Sequence, residues 1–161
     1  MQNVIAIRKV AEPYGWLGNM SPHPVSYQNR TYRTAESLFQ CLRFDDLEIQ
    51  EEISSQASPM AAKMKAKKHR ERMLIQPQSD HDVANMRLVI GLKAEQHTQL
   101  KHRLTCSNGI FIVEDCSKRP SKSGLFWGAQ LVDEKWHGKN MLGKLWMELR
   151  QQISPSFGRA A

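Results

Sequence analysis

The sequence is poor in cysteine and lacks long hydrophobic runs, and both shortages narrow the classes of protein to which it can belong. Its three cysteines, Cys41, Cys106 and Cys116, form no CxxC pair and leave one thiol over in any pairing, which excludes a disulfide framework and a zinc ribbon. No window approaches the ~18 consecutive apolar residues of a membrane span, and the N-terminus shows no secretory cleavage site. We therefore expect a cytoplasmic protein with no membrane partner.

Familiar catalytic and metal-binding motifs are missing as well. The chain contains no HExxH, P-loop, GxSxG or GxGxxG motif, and its six histidines show no ligand spacing. We therefore predict no structural metal and no cofactor. A Cys–His nucleophile stays open as a minor alternative.

The length and the overall composition of the chain are typical of one globular domain. The chain has 161 residues, of which 40% are apolar and 24% charged, and it contains no internal repeat or low-complexity linker. We predict a single domain over residues 1–153, followed by a frayed tail at residues 154–161, where periodicity is absent.

The net charge is +7, and the basic residues are clustered. Residues 63–72 carry six of them, whereas residues 45–52 are acidic. A basic cluster favours an anionic partner such as a nucleotide or nucleic acid. The alternative is a solvated helix face on an ordinary soluble protein.

Local patterns predict an α+β fold, mostly helical, with a small antiparallel sheet. A hairpin is expected at residues 25–32, because Gln28-Asn29 separates two short alternating runs. Capping residues and apolar periodicity predict helices over 35–50, from Pro59 to about 72, and from about 80, 98 and 140. Further strands are expected at 4–8 and 110–113, and a polar loop at 116–124.

The predicted helix 35–50 carries an unusual polar stripe. Glu36, Gln40 and Arg43 share one side at the helical period, and Phe39 and Phe44 flank them. A carboxylate, an amide and a guanidinium between aromatic walls suit a polar aromatic ligand. The alternative is a solvent-facing stripe with a loose Glu36–Arg43 ion pair.

A second candidate site follows Trp127-Gly128. Gly138, Lys139 and Asn140 precede the last predicted helix, where free backbone N–H groups and a lysine could hold an anion. The alternative is a glycine-permissive turn that packs on Trp127.

Together these segments resemble the YbiA-like, or NADAR, family from about Tyr14 to Ile153. The resemblance rests on the order and spacing of short motifs. They are Gly15-Trp16-Leu17-Gly18-Asn19, Thr34-Ala35-Glu36-Ser37-Leu38-Phe39-Gln40, Ser58-Pro59-Met60 with Ala62-Lys63, Met86 with Lys93, Val113-Glu114, Trp127-Gly128, and Gly138-Lys139-Asn140-x-Leu142-Gly143.

The resemblance implies an N-glycosidase of α+β fold. One branch of the family acts on phosphorylated riboflavin-pathway intermediates and another removes ADP-ribose from guanine in nucleic acid. We favour the second for this chain because of its basic cluster, with residues 63–72 contacting ADP-ribosylated DNA. A non-catalytic ADP-ribose-binding module is the further alternative.

Roles for individual residues follow from that resemblance. Glu36 would stabilise the oxocarbenium-like state or activate water. Arg43 and Lys63 would bind phosphate, and Phe39 or Trp127 would stack on a base. The remaining substrate-binding candidates are Trp16, Asn19, Gln40, Gly128, Lys139 and Asn140.

The chain departs from the family pattern at Gly124, where an Asp is usual three residues before Trp-Gly. If a second acid is needed, Asp115 and Asp133 are the candidates. The departure also favours altered substrate choice or reduced activity.

Overall fold

The computed structural model of the protein describes residues 3–154 and has the expected α+β fold. The helices are α1 (Ala35–Cys41), α2 (Leu47–Ser54), α3 (Pro59–Lys68), α4 (Asp80–Gln96), α5 (Thr98–Cys106), α6 (Lys122–Trp127) and α7 (Met141–Ile153), with 3-10 turns at Gly15–Leu17 and Arg70–Arg72. The strands are β1 (Val4–Ile7), β2 (Val25–Tyr27), β3 (Arg30–Tyr32), β4 (Phe111–Glu114), β5 (Gln130–Val132) and β6 (Lys135–His137). Apart from Ser154, the predicted tail lies outside the described residues.

The sheet differs from the single antiparallel one that we expected. β1 and β4 pair in parallel, from Val4 opposite Phe111 to Ile7 opposite Glu114. They can run in parallel because the helical segment between them returns the chain to the same edge. β2–β3 and β5–β6 are separate antiparallel hairpins. The first is the predicted hairpin, and Gln28 and Asn29 have the positive φ angles, 47° and 62°, that its two-residue turn requires.

The predicted helix 35–50 is two helices, which corrects the sequence analysis. α1 ends at Cys41, and Asp46 begins α2 by accepting hydrogen bonds from the backbone N–H groups of Glu48 and Ile49. The carbonyl of Arg43, between the helices, accepts hydrogen bonds from the backbone of Leu74 and Ile75. A distant segment therefore takes up a carbonyl that a continuous helix would have used internally.

The hydrophobic core lies between the β1–β4 pair and helices α1, α4 and α7. Trp146 of α7 is fully buried and donates its indole N–H to the carbonyl of Leu17 at 3.0 Å. α6 begins at Lys122, within the stretch we expected to be a polar loop. None of the described helices is long and apolar enough to span a membrane.

Candidate active site

A cavity of about 460 Å³ opens at the carboxyl ends of the parallel strands β1 and β4. This edge is where parallel strands usually present a ligand site, and the volume suits a small organic ligand. Eight of the thirteen candidate residues line it. They are Asn19, Glu36, Phe39, Gln40, Arg43, Lys63, Asp115 and Trp127.

The polar residues of α1 form a hydrogen-bonded row along the cavity. Gln40 Nε2 donates to Glu36 Oε1 at 2.7 Å, and Arg43 Nη1 donates to Gln40 Oε1 at 3.2 Å. Glu36, Gln40 and Arg43 are only 7%, 4% and 8% exposed. The solvent-facing interpretation of this stripe is therefore wrong.

The guanidinium of Arg43 is held by a partner that sequence reasoning missed. Its Nε and Nη2 donate to the two carboxylate oxygens of Asp82, both at 2.8 Å, and Asp82 is completely buried. The fork that we expected to hold a phosphate thus faces Asp82 at the start of α4. Because Gln40 links Arg43 to Glu36, this ion pair fixes the row that positions the Glu36 carboxylate. Spacing gave no signal for the pair, whose members are 39 residues apart.

Aromatic side chains form another part of the cavity wall. Phe39 and Trp127 meet edge to face with ring centroids 5.6 Å apart, and Phe126 packs on Trp127 in the same manner at 5.0 Å. The Arg43 guanidinium covers the Phe39 ring at 4.6 Å. Phe39 is thereby committed to packing, so Trp127 is the better placed of the two for a flat ligand.

The site contains a second carboxyl group, Glu114, which the sequence analysis did not choose. Glu114 is the last residue of β4 and lines the same cavity as Glu36. Burial and, to a lesser extent, the nearby Glu36 charge raise the pKa of its carboxyl to about 7, against the opposing effect of Lys63. A glutamate directly after the apolar run Ile110–Val113 was the available signal, since parallel strands present their last residues to a site.

The two aspartates proposed as the second acid are less suitable. Burial raises the pKa of Asp115, but hydrogen bonds from Ser117 and the Arg8 guanidinium outweigh it and hold the pKa below its ordinary value. Asp115 lines the cavity yet is an ionised partner of Arg8. Asp133 is exposed in the β5–β6 turn, with φ of 47°, and does not line the cavity. Its assignment is wrong, because the hairpin carries it away.

The loop after Trp127 is the glycine-permissive turn rather than an anion site. The backbone N–H of Lys139 donates to Leu125 and that of Asn140 to Gly128, so neither is free. Lys139 itself is exposed, with its ammonium group over the Phe126 ring at 5.2 Å. Gly128, Lys139 and Asn140 therefore do not line the cavity, contrary to their prediction as substrate-binding residues.

Trp16 is a packing residue as well. Its indole N–H donates to the carbonyl of Pro13 at 3.1 Å, and Arg103 covers its ring at 4.4 Å. Trp16 is not among the residues that line the cavity.

Asn19 reaches the cavity from a loop that Lys93 holds. The fully buried Lys93 Nζ donates to the Gly18 carbonyl at 2.9 Å and to Ser21 Oγ at 2.7 Å, one residue before and two after Asn19. Burial lowers the pKa of Lys93 to about 7. Asn19 Oδ1 is buried and accepts no hydrogen bond from any residue between 3 and 154. An unpaired buried acceptor in a cavity wall is suited to a ligand O–H or N–H donor.

Gly124 borders a tightly packed corner of the cavity. A Cβ at this position would lie 3.1 Å from Ser121 Oγ and 3.2 Å from Cys116 Cβ. Cys116 and Ser121 therefore occupy the space into which a side chain at position 124 would project.

Comparisons with known proteins show the family and the fold of the chain. The NADAR domain family model matches residues 7–154. The N-glycosidase YbiA of Escherichia coli K12 is 30% identical over 155 residues, covering 94% of this chain and 89% of that protein, and the Shigella boydii protein of that name is 29% identical. The NMR structure of E. coli YbiA superposes with a TM-score of 0.76 at 31% identity, covering 95% of this chain and 86% of that one. A riboflavin biosynthesis protein of Vibrio vulnificus is 25% identical over 95% of this chain but 39% of its own length.

Proposed function

Because the chain belongs to the NADAR domain family, we propose that it hydrolyses the N-glycosidic bond of a ribosylated, nucleotide-like substrate. The observation that carries the proposal is that Glu36 and Glu114 line one cavity and differ in their surroundings. Two carboxyl groups at one glycosidic bond are the usual equipment of a glycoside hydrolase. The names of the YbiA relatives agree with this chemistry.

The two carboxyl groups have different roles in the proposed reaction. Cleavage of a ribosyl C–N bond leaves positive charge on the anomeric carbon and negative charge on the departing base. The Glu36 carboxylate, oriented by the Gln40 amide, stabilises the cationic carbon and directs water to it. Glu114, with a pKa near 7, is partly protonated at neutral pH and donates its proton to the departing nitrogen. Water then adds its oxygen to the anomeric carbon, and its proton passes to a carboxylate.

The other cavity residues bind the parts of the substrate on either side of the bond. Trp127 offers an aromatic surface for a base. Asn19 Oδ1 accepts a hydrogen bond from a hydroxyl or amino group of the ligand. Lys63 lines the cavity from α3 and serves as the phosphate-binding cation, a role that Arg43 does not share because Asp82 occupies its fork.

For the substrate, we favour ADP-ribose attached to guanine in nucleic acid. The charge pattern of α3 supports this choice. Lys65 is paired with Glu52 of α2, and Arg72 is paired with Asp46, the N-cap of that helix, so part of the basic cluster only neutralises the acidic segment. Lys67, Lys68 and Arg70, by contrast, are in no ion pair with any residue that the structure describes. Lys67 follows Lys63 at a spacing of four on α3, and the exposed Arg70 lies in the 3-10 turn that follows the helix, so positive charge extends from the cavity toward this turn.

A phosphorylated riboflavin-pathway intermediate is the second candidate substrate. The Vibrio vulnificus relative, a riboflavin biosynthesis protein, favours it. A cytoplasmic location, inferred from the unpaired thiols, fits either substrate and forms part of the proposal.

The experiment is a substrate panel with product analysis by mass spectrometry. The purified protein is incubated with DNA carrying ADP-ribosylated guanine and, separately, with riboflavin-pathway phosphates. Release of the base or of ADP-ribose supports the proposal, and Glu36→Gln should reduce turnover by roughly 10²–10³ while leaving ligand affinity largely unchanged. Tight binding without any released product would contradict it and favour a non-catalytic ADP-ribose reader.

The choice between the two substrates is tested on the surface formed by α3 and the 3-10 turn that follows it. The double variant Lys67→Ala/Arg70→Ala should reduce activity on modified DNA and flatten its salt dependence, while a mononucleotide substrate is cleaved as before. The matched control is Lys101→Ala/Lys144→Ala, which removes the same charge from α5 and α7. Equal effects of the two double variants on DNA cleavage would refute a nucleic-acid contact at α3.

A further inference from the structure

Asn140 makes two hydrogen bonds that bracket the end of β4. Its Nδ2 donates to the carbonyl of Ile112 at 2.9 Å, and its Oδ1 accepts from the backbone N–H of Glu114 at 3.0 Å. β4 pairs with β1 on its other side. The amide of Asn140 thus takes the place of a neighbouring strand on the free edge of β4, at the two residues that flank Val113.

The backbone around Asn140 is shaped for this contact. Asn140 is 4% exposed and has a left-handed backbone, with φ of 49°. The strain of that conformation is one that asparagine tolerates better than most residues. A Cβ on Gly143 would lie 2.5 Å from both amide atoms of Asn140, so only glycine leaves room for the side chain there.

The neighbouring loop holds the other side of Glu114. Its carbonyl accepts a hydrogen bond from the Ala129 backbone N–H at 2.8 Å, and a Cβ on Gly128 would lie 2.2 Å from that same oxygen. The backbone N–H of Asn140 in turn donates to the Gly128 carbonyl at 2.9 Å. Glu114 is therefore fixed at its N–H by Asn140 and at its carbonyl by Ala129, which follow it in sequence by 26 and 15 residues.

From this geometry we infer that Asn140 is a positioning residue that holds the Glu114 carboxyl in the cavity, rather than a residue that touches substrate. The inference deepens the proposed function, because it assigns Asn140 a role in the proton donation by Glu114. The inference explains why both the Oδ1 and the Nδ2 atoms of Asn140 are hydrogen-bonded to β4 instead of facing a ligand.

The position of the Glu114 carboxyl decides its acidity. Glu36 on α1 repels its charged form and Lys63 on α3 attracts it, while Asp115, the next residue along the chain, is paired with Arg8. Burial is the largest influence and favours the protonated form. If the backbone of Glu114 loosens, its carboxyl reaches water more freely and its pKa falls toward the ordinary value of 4.5.

The test is Asn140→Gly, which keeps the left-handed backbone and removes only the amide. We expect kcat to fall by about 10²-fold through misplacement of the acid, with a smaller effect on KM, and the basic limb of the pH–rate profile to move at least one pH unit lower. Asn29→Gly is the matched control, since Asn29 also has positive φ but is exposed in the β2–β3 turn. The Asn29→Gly variant should have the kcat, KM and pH–rate profile of the wild type.

Two further measurements keep the inference testable apart from activity. The Glu114 carboxyl is titrated by carbon NMR in the wild type, in Asn140→Gly and, if that variant does not fold, in Asn140→Ser. Hydrogen exchange of the Glu114 backbone N–H in the wild type checks its bond to Asn140 directly. An unchanged Glu114 pKa in a folded variant, or an N–H that exchanges as fast as an exposed amide, would overturn the inference. Absence of glycosidase activity with the NMR result intact would instead overturn the proposed function.

Discussion

Replacement of Glu114 by glutamine separates the stability of the protein from its activity. The Glu114 pKa of about 7, against an ordinary 4.5, means that the folded protein binds this proton more tightly than the unfolded chain. The contribution of the protonated Glu114 carboxyl to the stability of the folded protein is therefore fully present below pH 4.5, and it is lost as the pH rises through 7. A pKa difference of one unit corresponds to ~1.4 kcal/mol, so ionisation of Glu114 above pH 7 lowers the free energy of unfolding by roughly 3 kcal/mol. Because the side chain is only half-buried and nearby water screens its charge, we expect a loss of about 1–3 kcal/mol.

Glu114→Gln keeps the shape of the protonated acid and removes that cost. We expect the variant to be more stable than the wild type above pH 7, with a midpoint higher by roughly 2–12 °C, and equally stable below pH 4.5. Its turnover should nevertheless be lost. Thermal unfolding from pH 4 to 9 measures the effect, with Glu95→Gln as control because Glu95 is an exposed residue of α4. A variant that is destabilised equally at every pH would refute a protonated Glu114 in the cavity.

Three further variants examine the surroundings of the site. Asp82→Asn leaves a buried guanidinium without its counter-ion and should cost about 3–5 kcal/mol, seen as a melting midpoint lower by around 10 °C; a loss under 1 kcal/mol would show that the ion pair is dispensable. Lys63→Gln removes the cation that lowers the Glu114 pKa, so the basic limb of the pH–rate profile should move to higher pH, and a move to lower pH would contradict their proximity. Gly124→Asp forces a side chain against Cys116 and should destabilise the protein by about 1–3 kcal/mol without raising turnover, whereas faster turnover would show that this corner accepts an acid.

The candidate site was predictable to the extent that its residues lie on one local element or in a short motif. Glu36, Gln40 and Phe39 share a helix, so their spacing alone placed them together, and the resemblance to the NADAR family is confirmed by the family model and by the YbiA relatives. The identity of the substrate and the roles of individual residues stay predictions. Asn140 was predicted from a motif to bind substrate, but in the structure its amide is hydrogen-bonded to the backbone of β4.

The sequence by itself determined where several of the local elements begin, since caps and turns depend on neighbours a few residues away. Thr34 begins α1, Ser58-Pro59 begins α3 and Gln28-Asn29 makes the first hairpin. Only the tertiary structure decided which distant groups would meet. The parallel pairing of β1 and β4 sets the position of the cavity, Asp82 takes the fork of Arg43, and Glu114 comes to face the same cavity as Glu36. The physical reason is that a charge acquires its pKa and its partner from burial and from groups far along the chain, and neither is visible until the chain has folded.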